Sequence, residues 1–460
     1  MTAPESGDLE RSLGRRMSGA AGLAALAGLA WAARDVPLAL GGRLVGARAE
    51  RAARSPQFRD GTFRNPASSR PMAGTPDRSL IRELIFGKQK RRPGSAVPLL
   101  RPAERHLDGD DAHTELGIVW YGHASVLVEI EGRRVLLDPV WSERCSPSAA
   151  VGPRRLHEPP VRLDELPRLD AILISHDHYD HLDLATVRDL TARQSAPFVV
   201  PLGVGAHLDR WGVPADRIIE LDWSESHDLG GIELIATPAQ HFSGRGLRRD
   251  GTLWSSWVIA GAHRKVFYTG DSGYFPGYAE IGAEHGPFDV TLMQIGAYDR
   301  AWPSIHMFPE EAVSAHLDLR GGLFLPVHWA TFNLALHDWS EPVDRLWAEA
   351  KARDGQPHVP GLGLPPGAIR GLGPVVQGQV ERRPVHRHHE TAAHVEVGGD
   401  VLIPLHWATF NLALHDWAEP ADRAWSEAKA RDVRLAIPRP GERVVVDDPP
   451  AVDGWWQAVA

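Results

Sequence analysis

The pattern of apolar and polar positions changes near residue 116. From there on, short apolar runs rich in β-branched residues alternate with segments of helical periodicity. Residues 171–174 form one continuous apolar run, which is typical of a strand buried on both faces. The strands predicted on these grounds are 118–121, 125–130, 134–137, 171–174, 198–200, 219–221, 232–237, 256–259, 266–269, 290–294 and 323–326.

Helical periodicity occurs in the segments 184–193, 204–211, 278–285 and 309–317. Glu131 and Gly132 separate two predicted strands and indicate a hairpin turn. Strands come as neighbouring pairs with helices inserted between them. The pattern therefore predicts an α/β fold in which two mixed sheets are covered by helices on both outer faces, with a site at one edge.

Residues 1–110 carry clusters of Arg, Pro and Gly instead of periodicity, and they predict a mobile leader. Within this leader, residues 19–33 form an apolar run preceded by Arg15 and Arg16. The run is shorter than the ~20 residues of a membrane span, but a charged start before an apolar stretch is typical of a signal peptide or anchor. The segment is either a membrane-associated or exported N-terminus, or an Ala-rich helix packed on the protein. Because both interpretations of this segment are possible, the sequence allows a protein that is at a membrane, in the cytoplasm or exported.

Composition narrows the function classes. The chain of 460 residues is 43% hydrophobic and 24% charged, which suits a globular protein with ample core. Its formal net charge of −9 offers no basic surface, so nucleic acid is not expected as a partner. Cys145 is the single cysteine of the sequence, which excludes an intramolecular disulfide. The oligomeric state is not indicated.

The C-terminal region contains a duplication. The segment that begins at His328 and ends at Trp339 recurs at His406 to Trp417. Two copies are fewer than a solenoid needs, so a segmental duplication is the simpler interpretation. The predicted domains are a leader at 1–110, a catalytic domain at 111–354, a Gly/Pro/His-rich loop at 355–390, and the duplicated segment with the terminal strand at 391–460.

The densest group of chemically active residues follows the buried run 171–174. His176, His178, Asp180 and His181 lie within six positions of a loop that begins where this predicted strand ends. Imidazole nitrogens and carboxylate oxygens are ligands that suit a borderline cation such as zinc. His176 and His178 can point the same way from an extended loop, while Asp180 and His181 face a second ion. The pattern predicts a two-metal site.

A His-x-His-x-Asp-His segment directly after a strand resembles the signature of the metallo-β-lactamase superfamily, whose fold is an αββα sandwich. His241, Asp271 and His328 each follow a predicted strand and match, in order, the remaining ligands of that family. The resemblance implies that Asp271 bridges two zinc ions, although iron or manganese would also fit. The implied ligand set is His176, His178, Asp180, His181, His241, Asp271 and His328.

Further motifs resemble the branch of the superfamily that hydrolyses N-acyl-phosphatidylethanolamine as a phospholipase D. These motifs are Trp120-Tyr-Gly-His-Ala-Ser, Leu137-Asp-Pro-Val, Glu220-Leu-Asp-Trp, Gly286-Pro-Phe-Asp, Ile295-Gly-Ala-Tyr and His328-Trp-Ala-Thr-Phe. The resemblance covers roughly residues 55–350 and resumes in the C-terminal tail. It implies a phosphodiesterase that attacks a phospholipid with a hydroxide held between the two metals, with a membrane surface as a further expected partner.

The same resemblance assigns roles around the metals. Asp180 and His306 are the expected catalytic residues, and His306 would contact the substrate phosphate or the leaving group. The alternative for His306 is a solvated loop histidine. Asp177 and Asp183 are expected to orient the ligating imidazoles.

Other nearby residues have weaker expectations. His123 and Asp138 are expected to support the site structurally. Phe242, Trp254 and Tyr298 are close in sequence to the ligand-bearing loops and are expected to line a groove for an acyl chain, unless they pack the rim of the site.

Three questions stay open at this point. The duplication offers both His328 and His406 as the last ligand, and we favour His328 because the helix 309–317 precedes it as the family order requires. A lactonase or another ester hydrolase would use the same metals with a small polar pocket. A catalytically inactive metal-binding module, damaged by the duplication, is the alternative outside the enzymes.

Overall fold

A computed structural model of the chain describes residues 33–66, 116–246, 248–299, 302–328, 331–332, 334–335 and 441–445, with single positions 28, 31, 99, 345 and 439. Apart from three of its residues, the apolar segment 19–33 lies outside these ranges. So do the loop 355–390 and the second copy of the repeat, including His406. Among the described residues, no helix combines the length and the apolar character needed to cross a bilayer.

The N-terminal arm, defined here as residues 33–66, contains regular structure. Its elements are α1 Val36–Ala39, α2 Gly46–Ala53, β1 Phe58–Arg59 and β2 Thr62–Phe63, of which the strands form a hairpin.

The arm packs against the rest of the molecule. Arg48 of α2 donates to Glu220 at 2.6 Å, and the Leu38 carbonyl accepts from the indole of Trp211 at 2.8 Å. The expectation of an irregular leader is therefore wrong for residues 33–66. The arginines of α2 resemble a solvated charge cluster in the sequence, but they pair with acidic groups far away in the chain.

The remaining elements follow in chain order. They are β3 Leu116–Gly122, β4 Ser125–Ile130, β5 Arg133–Leu137, β6 Ala171–Leu173, α3 Leu184–Arg193, β7 Phe198–Pro201, α4 Gly205–Trp211, β8 Ile218–Leu221, β9 Ser226–Asp228, β10 Glu233–Thr237, β11 Ser256–Ala260, β12 Lys265–Tyr268, α5 Gly277–His285, β13 Phe288–Gln294, α6 Pro309–Asp318, β14 Gly321–Val327 and β15 Arg443–Val445, with short 3-10 turns at Leu163–Glu165 and Ala215–Arg217.

Two mixed sheets form the body of the protein. The first has seven strands in the order β15-β3-β4-β5-β6-β7-β8, and the second has six in the order β14-β13-β12-β11-β10-β9. In each sheet one half is antiparallel and the other half parallel, with the change at β5 in the first sheet and at β12 in the second. Parallel strands need crossovers, and α3, α4, α5 and α6 supply those that follow β6, β7, β12 and β13, while the crossover from β5 to β6 contains the 3-10 turn at Leu163–Glu165.

The main core lies between the sheets. Trp120, Trp257 and Tyr268 are almost fully buried there among the aliphatic side chains of both sheets. The indole of Trp257 donates to the carbonyl of Ile174 at 3.1 Å, which ties the second sheet to the end of β6. A second cluster packs α3 and α4 on the outer face of the first sheet. The predicted sandwich, with helices outside both sheets, is confirmed.

Most predicted elements are confirmed within one or two residues. The helix predicted at 184–193 has the same ends in the structure, and Glu131 and Gly132 have the positive φ angles of 46° and 79° that a tight hairpin turn requires. The edge strand β9 was not predicted, because its short sequence is polar and largely exposed. The terminal strand expected in the C-terminal segment is β15, which pairs antiparallel with β3.

Asp183 has a local role at the start of α3. Its carboxylate accepts hydrogen bonds from the backbone N–H of Thr186 at 3.2 Å and from the hydroxyl of Ser142 at 2.7 Å. It is therefore the N-cap of the helix.

We expect Asp183→Ala to lower the free energy of unfolding by about 1 kcal/mol, the usual cost of losing an N-cap, without changing the metal content. Urea unfolding and metal analysis would measure the two effects. Asp189→Ala is the matched control, because Asp189 lies on the same helix and forms an exposed pair with Arg193. Loss of metal at unchanged stability would contradict the N-cap assignment.

Candidate metal centre

The proposed ligands meet at one edge of the sandwich because each follows the end of a strand. The loop that carries His176 to His181 leaves β6 of the first sheet, and His328 follows β14 of the second. His241 follows β10, and Asp271 follows β12. These strands all end at the same edge, so residues far apart in sequence become neighbours.

The first cluster consists of His176, His178, His241 and Asp271. The Nδ1 atom of His178 lies 2.9 Å from Nε2 of His176 and 3.3 Å from Nε2 of His241. Asp271 Oδ2 is 3.8 Å from the Nε2 atoms of both His176 and His241. Three imidazole nitrogens and a carboxylate oxygen thus converge on one point.

The second cluster consists of His123, Asp180, His181 and His328. Nε2 of His328 lies 3.1 Å from Asp180 Oδ2 and 3.0 Å from Asp271 Oδ2. Nε2 of His181 lies 3.2 Å from Asp271 Oδ2. The carboxylate of Asp271 therefore stands between the two clusters, which is the position expected of a bridging ligand.

His123 is a member of the second cluster, although the sequence assigns it only a supporting role. Its Nε2 atom lies 3.0 Å from Asp180 Oδ2, and its ring is tilted against that of His328 with the ring centres 4.3 Å apart. Its backbone has a positive φ of 52°, and its N–H donates to the hydroxyl of Thr331. The position in a tight turn directly after β3 was the sequence signal that could have placed His123 among the candidates.

Neighbouring acceptors fix the orientation of two rings. Asp138 Oδ2 lies 2.7 Å from Nδ1 of His181, and the carbonyl of Ile305 lies 2.9 Å from Nδ1 of His241. Each contact holds the proton on Nδ1 and leaves the lone pair of Nε2 directed into the site. Asp138 is itself held by the backbone N–H of Ser175 at 2.7 Å. Its expected supporting role agrees with this geometry.

Asp177 and Asp183 do not orient the ligating imidazoles as the sequence suggested. Asp177 accepts from the backbone N–H of Gly244 at 2.7 Å and lies 3.2 Å from Nε2 of His207. Asp183 caps α3. Within the described residues, their hydrogen bonds tie neighbouring loops together, and Asp138 is the carboxylate that holds a ring of the site. The adjacency of Asp177 to two ligands in sequence was misleading, because alternate residues of the extended loop point to opposite sides.

The side chains present fit divalent cations. Asp271 Oδ1 is buried and has no hydrogen-bond partner among the described residues. An uncompensated buried carboxylate is costly, and a cation would compensate it. Nitrogen and oxygen donors in two groups of four suit zinc, and they suit iron or manganese as well. The clusters are thus candidate metal-binding sites.

The pKa values of the buried ligands depend on two opposing effects, which are burial and the charges of the neighbouring side chains. Burial would raise the pKa of Asp271, but His181, His328 and His306 hold it well below its usual value. Burial likewise opposes the charged form of His181, but Asp271, Asp180 and Asp138 raise its pKa well above the usual value. Burial also opposes the charged form of His328, but Asp271 and Asp180 together raise its pKa. In the metal-free protein, both rings therefore take up a second proton more readily than an ordinary histidine does.

A pocket opens above the clusters. Its floor contains His178, Asp180, Asp271 and His328, and its walls include Phe242, Trp302, Ile305 and Leu334. The polar floor can hold ions and a charged group, while the walls offer apolar surface.

Of the three residues expected to line a groove, one lines the pocket and two are buried beside it. Phe242 lines the pocket, as expected. Trp254 does not, because it is buried behind the His241 loop, where its indole donates to the carbonyl of Ala239 at 2.9 Å. Tyr298 is also buried, packed on Phe308 with ring centres 4.9 Å apart, and only its neighbour Ala297 reaches the pocket. The two residues pack the rim of the site, which was the alternative left open by the sequence.

His306 lies in the pocket, and the alternative of a solvated loop histidine is wrong. Its ring stacks on that of His328 with the centres 5.2 Å apart, and its Nδ1 atom lies 3.9 Å from Asp271 Oδ2. Burial lowers the pKa of His306 to about 3. The ring is therefore neutral at physiological pH and can donate one hydrogen bond without carrying a charge.

Comparison with known proteins agrees with this architecture. A family model described as "Beta-lactamase superfamily domain" matches residues 133–329. An uncharacterized protein of Mycobacterium tuberculosis is 49% identical over 77% of this chain and 96% of its own length. N-acyl-phosphatidylethanolamine-hydrolyzing phospholipase D 1 of Caenorhabditis elegans is 35% identical over 64% of this chain and 87% of its own length. A metal-dependent hydrolase of Pyrobaculum aerophilum is 31% identical over 51% of this chain and 94% of its own length.

The chain therefore belongs to the β-lactamase superfamily and is a metallo-hydrolase of that superfamily. Within it, the chain has N-acyl-phosphatidylethanolamine-hydrolyzing phospholipases D among its homologues.

The raised pKa values of His181 and His328 predict that metal binding releases protons. Between the usual histidine pKa of about 6.5 and the raised values, these rings are protonated in the metal-free protein, and only neutral imidazole binds a metal. The apparent zinc affinity should rise with pH through that window and level off above it. Calorimetry of zinc binding at about pH 7 in buffers of different ionisation enthalpy would measure the release. Equal heats in all buffers would contradict it.

Proposed function

We propose that the protein is a phosphodiesterase of phospholipase D type that hydrolyses N-acyl-phosphatidylethanolamine-like lipids. The observation that carries this proposal is the pocket, in which the apolar walls at Phe242, Trp302, Ile305 and Leu334 stand above a floor of histidines and carboxylates. A lipid phosphodiester has the same division into a charged centre and apolar chains. The similarity to the phospholipase of Caenorhabditis elegans, which extends over 87% of that protein, supports the same substrate class.

In this proposal the clusters hold two divalent cations, most simply zinc. His176, His178 and His241 hold the first, while Asp180, His181 and His328 hold the second, with Asp271 between them. When bound, such cations supply a water-derived nucleophile at neutral pH and neutralise charge on the phosphoryl oxygens. The residues of the chain set the position of each donor atom, and Asp138 and Ile305 fix the tautomers of His181 and His241.

Hydrolysis adds water across the phosphodiester. A new P–O bond forms to the water oxygen and the P–O bond to the N-acylethanolamine breaks, leaving phosphatidic acid. The departing oxygen gains the proton that the attacking water gives up. His306 is the pocket residue that we assign to the phosphate or leaving-group oxygen, because its neutral ring lies next to Asp271 and His328. Asp180, which reaches three histidines, is the other proposed catalytic residue, and it acts by holding the second cluster together.

The walls of the pocket also favour the lipid over a small polar ester. A lactone of a sugar phosphate would require polar side chains at the positions of Phe242, Ile305 and Leu334. A membrane surface is the expected partner, since the substrate lies in one.

The repeat provides a matched pair of variants for the central test. We expect wild-type protein to bind two equivalents of metal and to release phosphatidic acid from vesicles that contain N-acyl-phosphatidylethanolamine. His328→Ala should abolish this activity and weaken metal binding, because it removes a donor that lies 3.0 Å from Asp271. His406→Ala, in the second copy, should leave both unchanged.

Each alternative has its own outcome in this experiment. Hydrolysis of lactones with none of phospholipids would replace the proposal with a lactonase. Binding of metal without hydrolysis of either substrate would indicate an inactive metal-binding module. Loss of activity in His406→Ala alone would show that the second copy supplies the working ligand.

His306→Gln should lower kcat for the phospholipid by about 100-fold, the lower range for losing a positioned hydrogen-bond donor to a reacting oxygen, while both metals remain bound. The comparison requires metal analysis of the same samples. His227→Gln is the control, since His227 lies on the edge strand β9, away from the pocket. Unchanged turnover in His306→Gln would remove His306 from the catalytic residues.

A further inference from the structure

The N-terminal arm reaches the metal centre through one side chain, Asn65. Its amide NH2 donates to the backbone carbonyl of His241 at 2.8 Å, and its amide oxygen accepts from the backbone N–H of the same residue at 2.9 Å. Both are well-formed hydrogen bonds. One side chain thus satisfies both backbone groups of His241, as a neighbouring strand would.

The amide is held in place from the other side. The indole of Trp254 donates to the oxygen of Asn65 at 3.1 Å as well as to the carbonyl of Ala239. The hairpin that precedes Asn65 is fixed by the N–H of Phe63, which donates to the carbonyl of Asp250 at 2.8 Å. Asn65 is therefore a fixed support and not a surface side chain that happens to reach the loop.

His241 needs such a support because it lies in a loop. It follows the end of β10, and no strand pairs with its backbone among the described residues. Its ring is constrained at Nδ1 by the carbonyl of Ile305, but this contact alone leaves the backbone free to move. Asn65 fixes the backbone and Ile305 fixes the ring, so that Nε2 stays within 3.3 Å of Nδ1 of His178.

We propose that Asn65 is a positioning residue of the metal centre, which holds His241 in the geometry that binds the first cation. The inference rests on the proposed metal site, and it makes the N-terminal arm part of that site. Asn65 is not among the residues that line the pocket, and it reaches the site through the backbone of His241. Supporting contacts of this kind change metal affinity by about 10–100-fold when they are removed.

The test measures zinc binding by competition with a chelator, in the full chain and independently of substrate. Asn65→Ala should weaken one of the two zinc equivalents by about tenfold or more and leave the other close to its wild-type affinity. Thr62→Ala is the control from the same hairpin, since the hydroxyl of Thr62 donates to the carbonyl of Arg59 within the hairpin. It should bind both equivalents as the wild type does.

Asn65→Asp is the second variant, chosen because it is nearly isosteric and keeps the fold if the alanine variant does not. Its carboxylate can still accept from the N–H of His241 but cannot donate to the carbonyl. We expect weakened binding of the same single equivalent. Urea unfolding of the metal-free forms would separate a general loss of stability from a specific loss of metal affinity.

The outcomes distinguish this inference from the proposed function. Wild-type affinity for both equivalents in the folded Asn65 variants would overturn the positioning role and leave the phospholipase proposal intact. Wild-type protein that binds two metals but cleaves no phospholipid would overturn the proposed substrate, while selective weakening in Asn65→Ala would still support the positioning role. Wild-type protein that binds no metal would overturn both.

Discussion

The carboxylate of Asp271 is the constraint on which the rest of the structure depends. One oxygen atom lies within 3.2 Å of His181 and His328 and at 3.8 Å from His176 and His241, while the other has no hydrogen-bond partner among the described residues. A charge buried in this way must be balanced by protons or by metal ions. The raised pKa values of His181 and His328 correspond to balance by protons. The convergence of their nitrogen atoms with those of neighbouring ligands suits balance by metal ions.

Holding such a group requires two sheets. No single loop could bring these side chains around one carboxylate, but the strands of a sandwich end at a common edge and fix where each loop starts. The core between the sheets holds the end of β6 against β11, and the indole of Trp257 donates a hydrogen bond to the carbonyl of Ile174 there. The packing of the core thereby sets the distance between the two clusters of candidate ligands. The supports at Asp138, Ile305 and Asn65 then adjust individual residues within that frame.

The sequence allowed the fold and the central residues to be predicted because both depend on local patterns. Apolar runs identified the strands, and the dense loop after β6 identified the centre of the site. What could not be predicted depends on contacts between distant segments. The arm at 33–66 looked irregular because its partners lie far along the chain. Arg48 pairs with Glu220, and Asn65 pairs with His241. Trp254 and Tyr298 were expected in the groove because they are near ligands in sequence, yet their side chains turn into the protein interior.

The duplication is compatible with an intact fold because the described elements of the fold precede the first copy and follow the second. α6, β14 and His328 are continuous in the structure, and Arg345, which follows the first copy, forms a two-point pair with Glu310 of α6 at 2.7 and 2.8 Å. The chain is thus anchored both before and after His328. β15, which follows the second copy, pairs with the edge strand β3. Since β3 is at the end of its sheet apart from this pairing, the returning chain has only to reach an edge, and extra residues before it need not enter either sheet. An insertion at this point lengthens the connection between β14 and the last strand, and His328, the candidate ligand that directly follows β14, lies 3.0 Å from Asp271.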